Sequence, residues 1–125
     1  MASSLGHRLL REVCFLIGAE GQILWADAST SPVALPDGRA RWEAIWNHRQ
    51  QLVEIAHSHP LGPEAFSEED RTTMVALDQA LGRPLRYSVL APGGMIAVTA
   101  PGPVLHLSEV PWWAPLLRLA SGMED

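Results

Sequence analysis

The segment HSHPLGPEAFSEED, His57 to Asp70, gathers two imidazoles, two hydroxyls and several carboxylates. His57 and His59 are separated by one residue, and side chains on a strand alternate faces, so in an extended segment both rings point to the same side. Seven residues intervene before Ser67 and two more before Asp70. A carboxylate placed there, in the first turn of a helix, can meet the two rings. Two histidines and one aspartate leave a fourth position open on a tetrahedral Zn2+, as catalytic zinc requires; structural zinc is normally closed by four protein ligands. A plainer account competes. S-x-x-D ahead of a helical run is a capping box, with Ser67 as N-cap and Asp70 reaching back to its backbone, and H-x-H alone is a weak signal. The combination, with a third ligand close to the pair, favours the metal.

These residues need a strand, a turn and a helix to position them. LVEIAHSHP, Leu52 to Pro60, reads as a buried strand ended by Pro60, which cannot donate to a sheet ladder. SEEDRTTMVALDQALG opens with Ser67 and three acids and closes at Gly82, the start and stop chemistry of a helix. Upstream, REVCFLIGA and QILWADA are apolar strands joined at Glu20 and Gly21, a hairpin. The segment Ser29 to Arg39 reads as a loop able to flank a site. In RARWEAIWNHRQQL, Trp42, Ile45, Trp46 and Leu52 recur near helical spacing, which predicts a helix with both tryptophans in the core. Strands LRYSVLA and MIAVTA follow, joined by a turn at Pro92 to Gly94. A short strand in PVLHLSEV then leads to a terminal helix in WWAPLLRLA, where Trp112 and Trp113 are expected in the core. Intermixed strands and helices predict an α/β or α+β layer architecture around a largely antiparallel sheet.

Composition narrows the function classes. The 125 residues are the length of one domain with one substantial core. The formal charge of -5, with few basic residues, offers no footprint for a phosphate backbone, so nucleic acid is not the expected partner. No apolar run approaches the ~20 residues of a membrane span. Cys14 is the single cysteine, set in VCFLIGA; an intrachain disulfide is impossible, and a buried thiol in a reducing cytoplasm is the expectation. Arg8 and Arg11 ahead of that run, and the later ADA, superficially resemble a secretory signal, but Glu12, Glu20 and Gln22 interrupt it.

At His57, His59, Pro60, Ser67 and Asp70 the sequence resembles the JAB/MPN metalloproteases, of the short prokaryotic type. Their signature is an upstream Glu, then H-x-H-P, then S-x-x-D at this spacing. The resemblance implies a cytidine-deaminase-like α/β (α+β) fold, a mixed, largely antiparallel sheet flanked by helices, as a single domain over 1–125. It further implies one Zn2+ per chain held by His57, His59 and Asp70, with Ser67 stabilising a tetrahedral intermediate. For the upstream glutamate the candidates are Glu12, Glu20, Glu43 and Glu54. Strand parity turns Glu54 away from His57, and Glu43 lies on the tryptophan-rich helix as a solvated residue. Glu12 opens EVCFLIG, similar to the family's E-x-C-G-L-L-x-G with one small residue missing, and is favoured over Glu20 as general base. The implied reaction is hydrolysis of the peptide or isopeptide bond after the C-terminal Gly-Gly of a ubiquitin-like or sulfur-carrier protein. Two alternatives stand beside it, a noncatalytic MPN-type scaffold and a JAB branch associated with DNA repair. The substrate's identity and the oligomeric state are left open.

Overall fold

A computed structural model describes residues 9–29 and 38–123 of the chain. Among the described residues, six strands and three helices run in the order β1 (Val13–Gly18), β2 (Ile23–Ala28), α1 (Arg39–Asn47), β3 (Leu52–Ser58), α2 (Glu68–Leu81), β4 (Arg86–Ala91), β5 (Gly94–Thr99), β6 (Leu105–His106) and α3 (Ala114–Ala120). The strands form one sheet of order β2-β1-β3-β4-β5-β6. Every neighbouring pair is antiparallel except β3 and β4. Parallel neighbours need a long crossover, and α2 supplies it. The start of α2 is thereby carried back from the C-terminal end of β3.

Both faces of the sheet are covered. Cys14, Leu16, Ile55 and Tyr87 pack with Ile45 of α1 and Leu77 of α2. On the opposite face Val13, Phe15, Ala56 and Leu90 pack with Ala114 and Leu117 of α3. This double coverage explains why β1 is buried at all six positions and reads as a continuous apolar run rather than an alternation. Phe15 and Trp113 meet edge to face, with ring centroids 6.4 Å apart. The hairpin between β1 and β2 turns at Gly21, whose φ of 81° is the left-handed conformation that glycine adopts freely.

Three expectations are corrected. Trp42 and Trp46 are 37% and 55% exposed rather than in the core. In a nine-residue helix the sheet receives only a narrow stripe, and Ala44 and Ile45 occupy it. Trp46 instead lies beneath the Arg49 guanidinium, 3.9 Å from the ring centroid. The tryptophan pair ahead of α3 is divided: Trp113 is fully buried, whereas Trp112 is 60% exposed and donates its Nε1–H to the Gly21 carbonyl at 2.9 Å. Finally, β3 ends at Ser58, so His59 and Pro60 belong to the turn beyond it. Of the candidate flanking loop Ser29 to Arg39, residues 30–37 lie outside the described residues. Among the described residues no helix is long and apolar enough to cross a membrane.

Candidate metal centre

Strand register brings the site together. Cys14 of β1 pairs with His57 of antiparallel β3, so these two side chains lie on one face. Continuing that register by two residues sets Glu12, just before β1, opposite His59, just after β3. Ligand atoms of Glu12, His57 and His59 lie within 4.8 Å of one another. Glu20 sits exposed in the turn beyond the far end of β1, eight residues along the chain from Glu12. Glu43 is solvent-facing and pairs with Arg39 one helical turn away. Glu54 accepts the Ser88 hydroxyl hydrogen at 2.8 Å on the opposite face of the sheet, as its parity requires. The structure therefore brings Glu12, alone of the four candidate glutamates, to the histidines.

Asp70 arrives from the third element. Its Oδ2 lies 3.4 Å from His57 Nε2 and 3.7 Å from His59 Nε2, and the two Nε2 atoms are 3.1 Å apart. The capping box also forms: Ser67 N–H donates to the same Oδ2 at 2.8 Å, and Asp70 N–H donates to Ser67 Oγ at 3.0 Å. Cap and candidate metal site thus share the same carboxylate and are compatible accounts. The cap fixes the carboxylate's rotamer and so aims Oδ2 at the rings. Ser67 Oγ accepts in this arrangement, which leaves its own hydrogen to donate elsewhere.

The donor set fits a small divalent cation. Bonds of ~2 Å in a tetrahedron place neighbouring donor atoms about 3.3 Å apart, and the three separations here bracket that value. His59 Nδ1 lies 3.0 Å from the Pro63 carbonyl. In the neutral ring Nδ1 must carry the hydrogen for that bond, so Nε2 presents its lone pair to the centre, as a metal ligand should. The turn that returns Pro63 to the ring is closed by Gly62 N–H donating to the His59 carbonyl, with Gly62 at φ 74°.

Electrostatics separates the two carboxylates. Burial raises the Glu12 carboxyl to about 7, with Asp70 adding to the shift while His59 and Arg41 oppose it. Burial also acts to raise Asp70, but the hydrogen bond and charge of His57 and the two bonds with Ser67 outweigh it and bring the group to about 2. Asp70 therefore stays ionised while Glu12 can exchange a proton near neutrality. Burial pushes the Cys14 thiol up to about 12, which leaves it inert.

The centre opens into a cleft of about 530 Å3, lined also by Arg41, Trp42, Met74 and Tyr87. Sequence reasoning missed Arg41 and Trp42 as cleft residues. Helical spacing placed Trp42 on an apolar stripe without showing that the stripe borders a cleft, and nothing marked Arg41, whose Nε is 3.3 Å from Asp27 of β2.

The family of prokaryotic homologs of the JAB domain matches residues 5–107, and the chain belongs to that family. No curated protein matches. α3 lies beyond the matched span.

Proposed function

We propose that the chain is a zinc-dependent peptidase or isopeptidase that hydrolyses the bond after the C-terminal Gly-Gly of a ubiquitin-like or sulfur-carrier protein. The observation that carries this reading is the meeting of the Nε2 atoms of His57 and His59 with the Asp70 and Glu12 carboxylates in one cleft. Asp70, His57 and His59 would hold the ion, and Glu12 would be left to move protons. Two carboxylates whose environments drive their pKa values apart commonly divide the work in this way.

When bound, zinc supplies Lewis acidity to the scissile carbonyl and lowers the pKa of water. Glu12 takes a proton from the attacking water at its carboxylate and delivers it to the leaving amine nitrogen. Ser67, already held by its cap, donates its hydroxyl hydrogen to the oxygen that gains negative charge. The Pro63 carbonyl keeps His59 in the tautomer that can bind metal. The resemblance of His57, His59, Ser67 and Asp70 to the JAB/MPN metalloprotease signature supports the choice of substrate.

The test uses the full chain, loaded with zinc or stripped by chelation, on ubiquitin-like and sulfur-carrier proteins that continue past Gly-Gly into a short peptide or carry a lysine-linked adduct. Mass spectrometry should show scission after the second glycine, lost on chelation and restored by zinc. Stoichiometric zinc with every such substrate intact would leave a metal-holding scaffold instead. Cleavage indifferent to chelation would remove zinc from the reaction.

A further inference from the structure

Beneath the metal centre, on the opposite face of the sheet, lies a run of buried polar groups for which the proposed reaction has no use. Ser58, the residue between the two histidines, and Ser121, at the C-terminal cap of α3, are both completely buried. Val13 N–H, adjacent to Glu12, donates to Ser58 Oγ at 2.9 Å. Ser58 Oγ and Ser121 Oγ are 2.6 Å apart, and Ser121 Oγ is 2.7 Å from the Leu117 carbonyl. A hydroxyl has one hydrogen to donate. The Leu117 carbonyl can only accept, so Ser121 donates to it and Ser58 donates to Ser121. The links then form one directed chain, from Val13 N–H through Ser58 and Ser121 to Leu117. Each member is satisfied, and aligned links in a dry interior strengthen one another.

The place of this chain gives it meaning. Backbone pairing of β1 with β3 stops at Cys14 and His57. Beyond that point the strands must keep Glu12 against His59 with no ladder between them, and the Ser58 hydroxyl takes the Val13 N–H that the ladder releases. Ser121 fixes that hydroxyl from α3, whose neighbouring backbone is also tied down, since Arg11 N–H donates to the Ser121 carbonyl at 3.1 Å. Both residues that flank Ser58 are imidazoles of the centre, and the residue before Val13 is its glutamate.

We infer that Ser58 and Ser121 are positioning residues, a hydroxyl relay through which α3 holds the Glu12 segment in register with His57 and His59 from behind the sheet. In a reaction that moves a proton between fixed groups, misplacement of the order of 1 Å costs on the order of a hundredfold in rate. The terminal helix is on this view part of the catalytic apparatus although it touches no reacting atom. The kinetic consequence rests on the proposed hydrolysis, whereas the metal-affinity and backbone consequences do not.

The experiment compares Ser121→Ala with Ser121→Thr, which keeps the hydroxyl, and with Ser88→Ala, an equally buried serine that bonds to Glu54 instead. Three quantities are read on the full chain: zinc affinity, hydrogen exchange of the Val13 amide, and turnover of a Gly-Gly substrate. Ser121→Ala should lower kcat about tenfold or more with KM little changed. It should also weaken zinc binding severalfold and speed exchange at Val13, with Ser121→Thr recovering most of each. Ser88→Ala should lower stability but change none of the three. If Ser121→Ala matches Ser88→Ala in zinc affinity and Val13 exchange, the relay positions nothing and the inference fails. Should the wild type cleave no substrate, the hydrolase reading falls by itself, and affinity and exchange still decide the role of Ser121. Should Ser121→Ala not fold, Ser58→Ala, which removes the acceptor of the Val13 N–H, should weaken zinc binding and speed exchange at Val13; wild-type values of both overturn the inference.

Discussion

At the scale of single residues, the proposed centre would divide two carboxylates between two tasks. Asp70 is held ionised by His57 and its cap, so it suits a cation at any ordinary pH. Glu12, lifted by burial to about 7, suits proton transfer. His59→Ala should therefore abolish stoichiometric zinc, which metal analysis of the purified variant checks; near-full occupancy would remove His59 from the ligand set. Glu12→Gln should keep zinc and fold while turnover falls by 10² to 10⁴ or so, because the near-isosteric amide cannot accept the proton. Glu20→Gln, in the distant turn, is the matched control and should leave the rate alone. A variant Glu12→Gln that loses its zinc would instead make Glu12 a ligand.

At the scale of elements, the N-terminus of α2 is capped by the same atoms that the proposed reaction would use. Loss of a Ser N-cap costs about 1 kcal/mol. Ser67→Ala should thus lower the urea midpoint without changing the slope, and should lower turnover beyond what that loss of stability explains. Wild-type turnover in the variant would leave Ser67 a cap alone. The strands carry a second, independent titration. Burial raises the Glu54 carboxyl above its usual 4.5, against the opposing effects of Ser88 and Arg86. The folded state then binds this proton more tightly than the unfolded chain, so the contribution is complete below about 4.5 and is lost as pH rises through the raised value. Relative to Glu54→Gln, the wild type should lose unfolding free energy as pH is raised from 4.5 to neutrality. A difference between the two proteins that does not vary with pH would contradict the burial of that carboxyl.

At the scale of the whole molecule, the centre joins three elements that are distant in sequence: the approach to β1, the end of β3 and the start of α2. An ion that binds only when these have met adds its binding free energy to the folded state. At a free zinc concentration a hundred times Kd this amounts to about 2.7 kcal/mol. Thermal unfolding should consequently move up with zinc and down with a chelator, and the shift should vanish in a variant lacking both His57 and His59. A shift that persists there would place the ion elsewhere.

Much of this molecule was legible in the order of its residues. Parity alone put His57 and His59 on one side and Glu54 on the other, and S-x-x-D with a closing Gly82 bounded α2, because these signals depend on backbone geometry within a few residues. The register of Glu12 was not local. The family resemblance favoured it over Glu20, but its place beside the histidines follows from the pairing of Cys14 with His57, which two separate strands decide jointly. The tryptophans show the same limit. Helical periodicity identifies an apolar stripe but not how much of it a neighbouring sheet can cover, so Trp42 and Trp46 stand at the surface while Ile45 fills the core. The meeting of Ser58 with Ser121 had no sequence signal at all: it joins residues 63 positions apart across the sheet, and only the packing of α3 against β1 and β3 brings their hydroxyls together.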